Sequence, residues 1–291
     1  NPDGSAVIFT GTSPHGQGTQ NAFVQIVAER LGLAPERIRV VQGDTLAIPY
    51  GMGTAGSRTL SVGGSAVWKA AEMVRDKVVR IAAHLLEAAP EDIELLEQGW
   101  GVRGTDKAVP MEQIIATAFS PRRLPPGLEP GLEGQASFSL KEANYPFGAH
   151  LAVVEVDPET GQVKILRYIA VDDCGVVVNP LLFEGQQHGG IAQGIGQALY
   201  EGIVYDEEGQ NRTASYLEYA LPKADQIPPM QPYRQETASP TNPLGVKGVG
   251  EAGAIAATPA VVNAVMDALG IAHLDMPLTP EKVWRQIPRQ D

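Results

Sequence analysis

Apolar positions along the chain follow two spacings, and stretches rich in Gly and Pro separate them. Ala6–Thr10 has the composition of a short strand. Phe23, Ile26, Val27 and Leu31 then recur at three and four, with Gly32 where a helix stops. Residues 37–42 return to a strand. Ala71, Val74, Val78, Ile81 and Leu85 form one stripe of a long helix that Ala89-Pro90 ends. Residues 93–102 read as a strand pair about Gln98-Gly99, and residues 111–119 as a short helix. The clearest hairpin pairs residues 149–156 with 162–171 through Asp157-Pro-Glu-Thr-Gly161, with Gly at the left-handed position. Asn179-Pro180 opens a helix that runs to Tyr200, and residues 204–211 form a strand and turn about Glu208-Gly209. Residues 254–269 read as a helix from Val261, Val262, Val265 and Leu269, with Pro259 in an early turn and Gly270 at the stop. A short helix follows near residues 281–286.

Two stretches lack periodicity. Residues 120–134, with Arg122-Arg123 and a run of Pro and Gly, read as a linker or crossing loop, which places the internal boundary between residues 1–134 and 135–291. Residues 222–243 are Pro-rich and read as structureless, functional or packed across a partner. Each half runs strands, Gly loop, helix, strands, helix, although residue identity between halves is too low to assert a duplication. This order predicts an α+β fold in two layers, mixed sheets flanked by helices. Asn1-Pro-Asp-Gly4 has the look of a hairpin turn lacking its first strand, so the chain is expected to be cut from something longer.

Composition narrows the function classes. The chain has 291 residues, 43% hydrophobic and 19% charged, which is a globular composition with room for two domains. Its formal charge of −12 argues against nucleic acid and anionic membranes as partners. The single cysteine, Cys174, excludes an internal disulfide and an all-Cys metal site, and a cytoplasmic location is the simplest expectation. No apolar run reads as long enough to span a bilayer.

The candidate chemistry sits in glycine loops. The central one is Gly245-Val-Lys-Gly-Val-Gly-Glu-Ala-Gly253, in which glycines alternate and end at a carboxylate before a helix. A loop of this kind offers bare N–H groups and a positive dipole end. Glu251 is then either a first-turn acid or a catalytic base at the helix mouth. Gly11-Thr-Ser-Pro-His-Gly-Gln-Gly18 and Pro49-Tyr-Gly-Met-Gly-Thr-Ala-Gly-Ser-Arg58 also feed helices. Arg58 reads as a phosphate partner or an ordinary surface residue, and His15 as a turn residue. The helix after Asn179 holds Glu184-Gly-Gln-Gln-His188-Gly-Gly and Gln193-Gly-Ile-Gly-Gln197. Glycine inside a helix costs about 1 kcal/mol against alanine, so another backbone or a ligand must approach that face. Asp172, Asp173, Cys174 and His188 match no metal-ligand spacing. No phosphate-binding Gly-x-x-x-x-Gly-Lys-Ser/Thr is present, which counts against a nucleotide-binding domain.

Taken in order, His15-Gly-Gln-Gly18, Gly53-Thr-Ala-Gly-Ser-Arg58, Gln193-Gly-Ile-Gly-Gln197 and Lys247-Gly-Val-Gly-Glu251 resemble the C-terminal, cofactor-binding part of the molybdenum hydroxylase large subunit. This is the xanthine dehydrogenase and aldehyde oxidase family, and the nearest look is to its carbon monoxide dehydrogenase branch. The segment 148–175, Asn179-Pro180 and Glu184-Gly-Gln to Gly189-Gly190 fit the same pattern. The resemblance covers nearly the whole chain and implies two similar lobes, both binding molybdopterin, the second carrying the glutamate loop. It implies that Gly16, Gln17 and Gly18, together with Gln193 and Gly194, reach the pterin and the region of molybdenum. Gly56, Ser57 and Arg58 would wrap the pterin and phosphate side. Lys247, Gly248, Val249 and Gly250 would shape the active site, and Glu251 would be the general base. The implied reaction is oxidative hydroxylation with water as the oxygen source, or carbon monoxide oxidation with a copper bound upstream. The implied cofactor is molybdopterin with molybdenum, in its cytosine dinucleotide form, with iron–sulfur clusters and FAD on other modules. The implied partners are the remainder of the large subunit, iron–sulfur and flavin subunits and a small-molecule substrate. As a piece, the chain is expected to be inactive alone. Thr19 stands where the family often has His, and no copper-binding Cys loop is present. The alternative is a non-catalytic scaffold or assembly piece that retains the fold.

Overall fold

The structure, a computed structural model, describes residues 1–288. The chain divides into two compact units, residues 1–143 with 239–246, and residues 144–238 with the chain from Lys247 onward. The sequence boundary at residue 134 lies in the loop ahead of this division.

The first unit opens with β1 (Ala6–Thr10), α1 (Thr19–Leu31) and β2 (Ile38–Gln42). The strands pair in parallel, Ala6 opposite Ile38 and Thr10 opposite Gln42. The partner of β1 is a later strand, and in the turn ahead of β1 Gly4 N donates to Asn1 O at 3.1 Å. The crossover helix buries Phe23, Ile26, Val27 and Leu31, as its spacing predicts. Gly32, left-handed at φ 67°, ends it by donating its N–H to Ala28 O. A π-helical turn, Thr59–Gly64, leads into α2 (Ser65–Leu86). On α2 pack an antiparallel sheet of β3 (Ile93–Leu96), β4 (Gly99–Val102) and β5 (Ala108–Val109), and the helix α3 (Met111–Ala118). Val78, Ile81, Trp100 and Ile114 are the centre of this core.

In the second unit, β6 (Phe147–Val156) and β7 (Val163–Asp173) form the expected hairpin. Asn179 caps α4 (Pro180–Leu199), its side chain accepting from Leu182 N at 3.0 Å. The chain then returns as β8 (Met230–Gln235), parallel to β7 with Tyr168 opposite Met230. The expectation that residues 222–243 are structureless is therefore corrected. Pro232 argues against a strand, but β8 is an edge strand, where a missing N–H is tolerated. The helices α5 (Ala252–Leu269) and α6 (Pro280–Trp284) complete the unit. Tyr168, Ile191, Ile195, Val261, Val265 and Leu278 are its core.

One further expectation is corrected. With 18 residues, α5 is long and apolar enough to cross a membrane. One stripe of it, Ala257, Val261 and Val265, is fully buried in the core shared with α4 and β7, while Ile255 is exposed. Both units mix helices with small sheets, the α+β class that the element order predicts.

Candidate functional site

In the first unit, two glycine loops are pinned to one another. Thr54 Oγ1 donates to Ser13 O at 2.7 Å and accepts from Ser13 N at 3.2 Å. Gly53 N donates to Gly11 O at 3.0 Å. Gly11 and Gly51 approach so closely that a Cβ on Gly51 would lie 2.2 Å from Gly11 O. Only glycine permits this crossing of backbones.

Beyond the crossing, the loops open. Gly16, Gly18 and Gly56 are left-handed, and so is Ser57 at φ 56°, a conformation a side chain rarely adopts. A Cβ on Gly16 or Gly56 would meet nothing within 4 Å. Gln17 fastens its own loop, accepting from His15 N at 2.5 Å and donating to Ser13 O at 3.2 Å. One amide hydrogen of Gln17 remains for anything else. Arg58 is exposed and directly precedes the π-helical turn. Neither α1 nor that turn has an acid in its first turn or a side-chain cap, so both helix starts favour an anion.

In the second unit, the glycines of α4 sort into two sets. A Cβ on Gly190 would lie 2.9 Å from Gly253 Cα, and one on Gly194 would lie 2.5 Å from Ala257 Cβ. These glycines let α4 and α5 touch. Gly185 and Gly189 face open space, and Gln193, one turn further, is exposed on α4. Thr258 Oγ1 donates to Gly194 O at 3.2 Å, closing the helix contact.

The turn before α5 is fixed from β7. Lys247 Nζ donates to Asp173 Oδ1 at 2.9 Å, and Lys247 N donates to Cys174 O at 2.7 Å. Both side chains are buried, at 9% and 1% exposure. Burial works against ionisation of Asp173, but hydrogen bonds from Thr237, Gly175 N and Lys247 outweigh it and hold the carboxyl at about 2. Val249 packs with Cys174, Phe183 and Ala252. Gly248 is buried and Gly250 exposed. Glu251 is exposed at the start of α5, and its side chain does not cap that helix.

Sequence reasoning missed a buried polar chain beside this turn. His150 Nδ1 meets Tyr168 Oη at 2.9 Å, and His150 Nε2 meets Asp172 Oδ2 at 3.3 Å. Gln187 Nε2 donates to Asp172 Oδ2 at 2.7 Å and to Tyr233 O at 3.3 Å. Burial pushes the Tyr168 phenol up. Burial also opposes ionisation of Asp172, but the His150 and Gln187 hydrogen bonds prevail and lower its pKa. The signal was present in Asp172-Asp173: two consecutive acids ending an apolar strand must each find a partner if buried.

Comparison with known proteins bears on this geometry. A family model described as molybdopterin cofactor-binding domain matches residues 1–228. The chain is 39% identical over 290 residues to the carbon monoxide dehydrogenase large chain of Hydrogenophaga pseudoflava, covering 98% of this chain and 36% of that one. It is 42% identical over 284 residues to 6-hydroxypseudooxynicotine dehydrogenase complex subunit gamma of Paenarthrobacter nicotinovorans, covering 97% and 36%. Among solved structures, a Cu,Mo-CO dehydrogenase superimposes with a TM-score of 0.92 at 36% identity, covering 98% of this chain and 36% of that one. Quinoline 2-oxidoreductase from Pseudomonas putida 86 superimposes with a TM-score of 0.91 at 36% identity, covering 99% and 37%. The chain spans about a third of the length of these relatives. With most of its residues matched and its fold shared, the chain belongs to the molybdopterin cofactor-binding domain family.

Proposed function

We propose that the chain is the molybdopterin-binding part of a molybdenum hydroxylase large subunit of carbon monoxide dehydrogenase or aldehyde oxidase type, acting in oxidative hydroxylation with water as the oxygen source. The observation that carries this reading is Glu251. Its carboxylate is exposed and does not cap its own helix, although the turn before it is fixed by a buried ion pair. A helix-start acid serving only the helix has no need of such a mount.

The first unit fits the cofactor. Thr19 Oγ1, at the start of α1, and Gln42 Nε2, at the end of β2, are buried and have no hydrogen-bond partner among the described residues. Two helix starts free of acids and an exposed Arg58 suit a phosphate group. When bound, the molybdenum cofactor supplies two-electron redox chemistry. The chain's own residues do the rest. Gly16 and Gly18 let the backbone approach the cofactor, and Gln17 offers its remaining amide hydrogen. Gly56, Ser57 and Arg58 hold the phosphate side, consistent with a cytosine dinucleotide form. Of the second unit's motif residues, Gln193 and Gly250 are exposed for binding, whereas Gly194 is closed against α5 and the Lys247 side chain is turned to Asp173. Glu251 would serve as the proton acceptor, at its exposed carboxylate. Iron–sulfur and flavin groups sit on other modules or subunits, and the complex is cytoplasmic. The names "large chain" and "complex subunit gamma" among the relatives support a multi-subunit assembly.

The test is Glu251→Gln in the assembled enzyme. Turnover should fall on the order of 10²–10⁴-fold with molybdenum content unchanged, because shape is kept and proton acceptance is lost. A near-native rate at equal molybdenum would return Glu251 to the role of a first-turn acid of α5.

A further inference from the structure

We propose that Asp173, Lys247 and the Cys174 carbonyl together position the turn that carries Glu251, with Asp173 as the anchor. The proposal rests on the general-base reading of Glu251. It departs from the expectation that Lys247 faces the cofactor, because the ammonium is turned inward to Asp173 Oδ1 at 2.9 Å and lies 4.5 Å from the Phe147 ring.

Between Lys247 and Glu251 the chain is Gly-Val-Gly. Glycine gives up more conformational freedom on ordering than any other residue, so this turn must be held from its ends. One end is Lys247, tied by main chain to Cys174 O at 2.7 Å and by side chain to Asp173. The other end is Gly253, where a Cβ would lie 2.6 Å from Gln187 O. Val249 is held between them by Cys174 and Phe183. The anchor is itself braced. Asp173 Oδ1 also accepts from Gly175 N at 2.9 Å. Asp172, the next residue back, is held by His150 and Gln187. The end of β7 thus grips α4 through one aspartate and the glutamate turn through the next. A buried ion pair adds little net stability over an apolar pair of the same shape. What it adds is direction, since one ammonium meets one carboxylate in one geometry.

The test compares the double variant Asp173→Asn, Lys247→Met with Lys247→Arg and Glu251→Gln in the assembled enzyme. The double variant removes both charges at nearly constant volume, so no lone buried charge remains to unfold it. Hydrogen exchange of the amides in residues 248–254 should quicken at least about tenfold, with β7 and α4 amides unchanged. At equal molybdenum, kcat should fall by about 100-fold with KM little changed, as for a misplaced reacting group. Lys247→Arg, which keeps the charge pair, should recover most of both. Native exchange in 248–254 with native kcat in the double variant would overturn the proposal. So would exchange that rises throughout the second unit, which marks a merely structural pair. If Glu251→Gln turns over normally, the general-base reading fails on its own, and the exchange result still decides whether the pair orders the turn.

Discussion

In the first unit, the crossover β1–α1–β2 is followed by a glycine loop held to its neighbour through Thr54, Ser13 and the Gly11 backbone. In the second, the crossover β7–α4–β8 leads to a glycine loop held by Asp173–Lys247 and by glycines buried between α4 and α5. The element order is the same, strand, helix, parallel strand, loop, long helix. The fastening differs. The first loop and the neighbour that holds it are tied by neutral hydrogen bonds and leave Gly56 and Gly16 open. The second is tied by charge and close packing. A loop that wraps a cofactor needs accessible backbone, while a turn that aims one carboxylate needs a fixed direction.

The largest expected effect that separates the two loops is at Lys247. Lys247→Met leaves Asp173 buried without its cation and should destabilise the second unit by about 3–5 kcal/mol in urea denaturation. The same pair sets an acid limit. Asp173 titrates at about 2 in the folded chain, below an unfolded carboxylate. Its contribution, about 2 kcal/mol, is therefore full above pH 4 and lost as pH falls through 2. Stability that is flat between pH 5 and pH 2 would remove the charge from the comparison.

Next in size is Gly194→Val, which drives side-chain atoms into Ala257 and Thr258 and should cost about 3 kcal/mol through overpacking. The smallest effect is expected at Gly56→Ala. Space there is open, so only the left-handed backbone is strained, at about 1 kcal/mol. Equal losses at Gly194 and Gly56, measured by thermal unfolding, would erase the distinction between packed and open glycines.

The sequence made the long elements legible because their stripes are one-sided. Phe23, Ile26, Val27 and Leu31 are buried together, as are Val261 and Val265. The strand β8 was hidden because its face is largely polar and it contains Pro232. The π-helical turn of Thr59–Gly64 has no periodicity of its own to read. The glycines of α4 announced a close approach but not its object. Only the structure separates Gly190 and Gly194, against α5, from Gly185 and Gly189, in the open. The glutamate loop was visible as a motif. Its tether to Asp173 was not, since 74 residues of chain separate the partners.

One consequence follows from Cys174, the residue directly after the two gripping aspartates. It is the only cysteine of the chain, and it is 3% exposed. Burial, then the charges of Asp172 and Asp173, push its thiol up to about 12. The thiolate is the reactive form, so at neutral pH this sulfur is almost inert while the strand end is closed. Each opening of that end exposes it. The rate at which an alkylating reagent consumes the thiol therefore times the breathing of the mount beneath Glu251, with no label introduced into the chain.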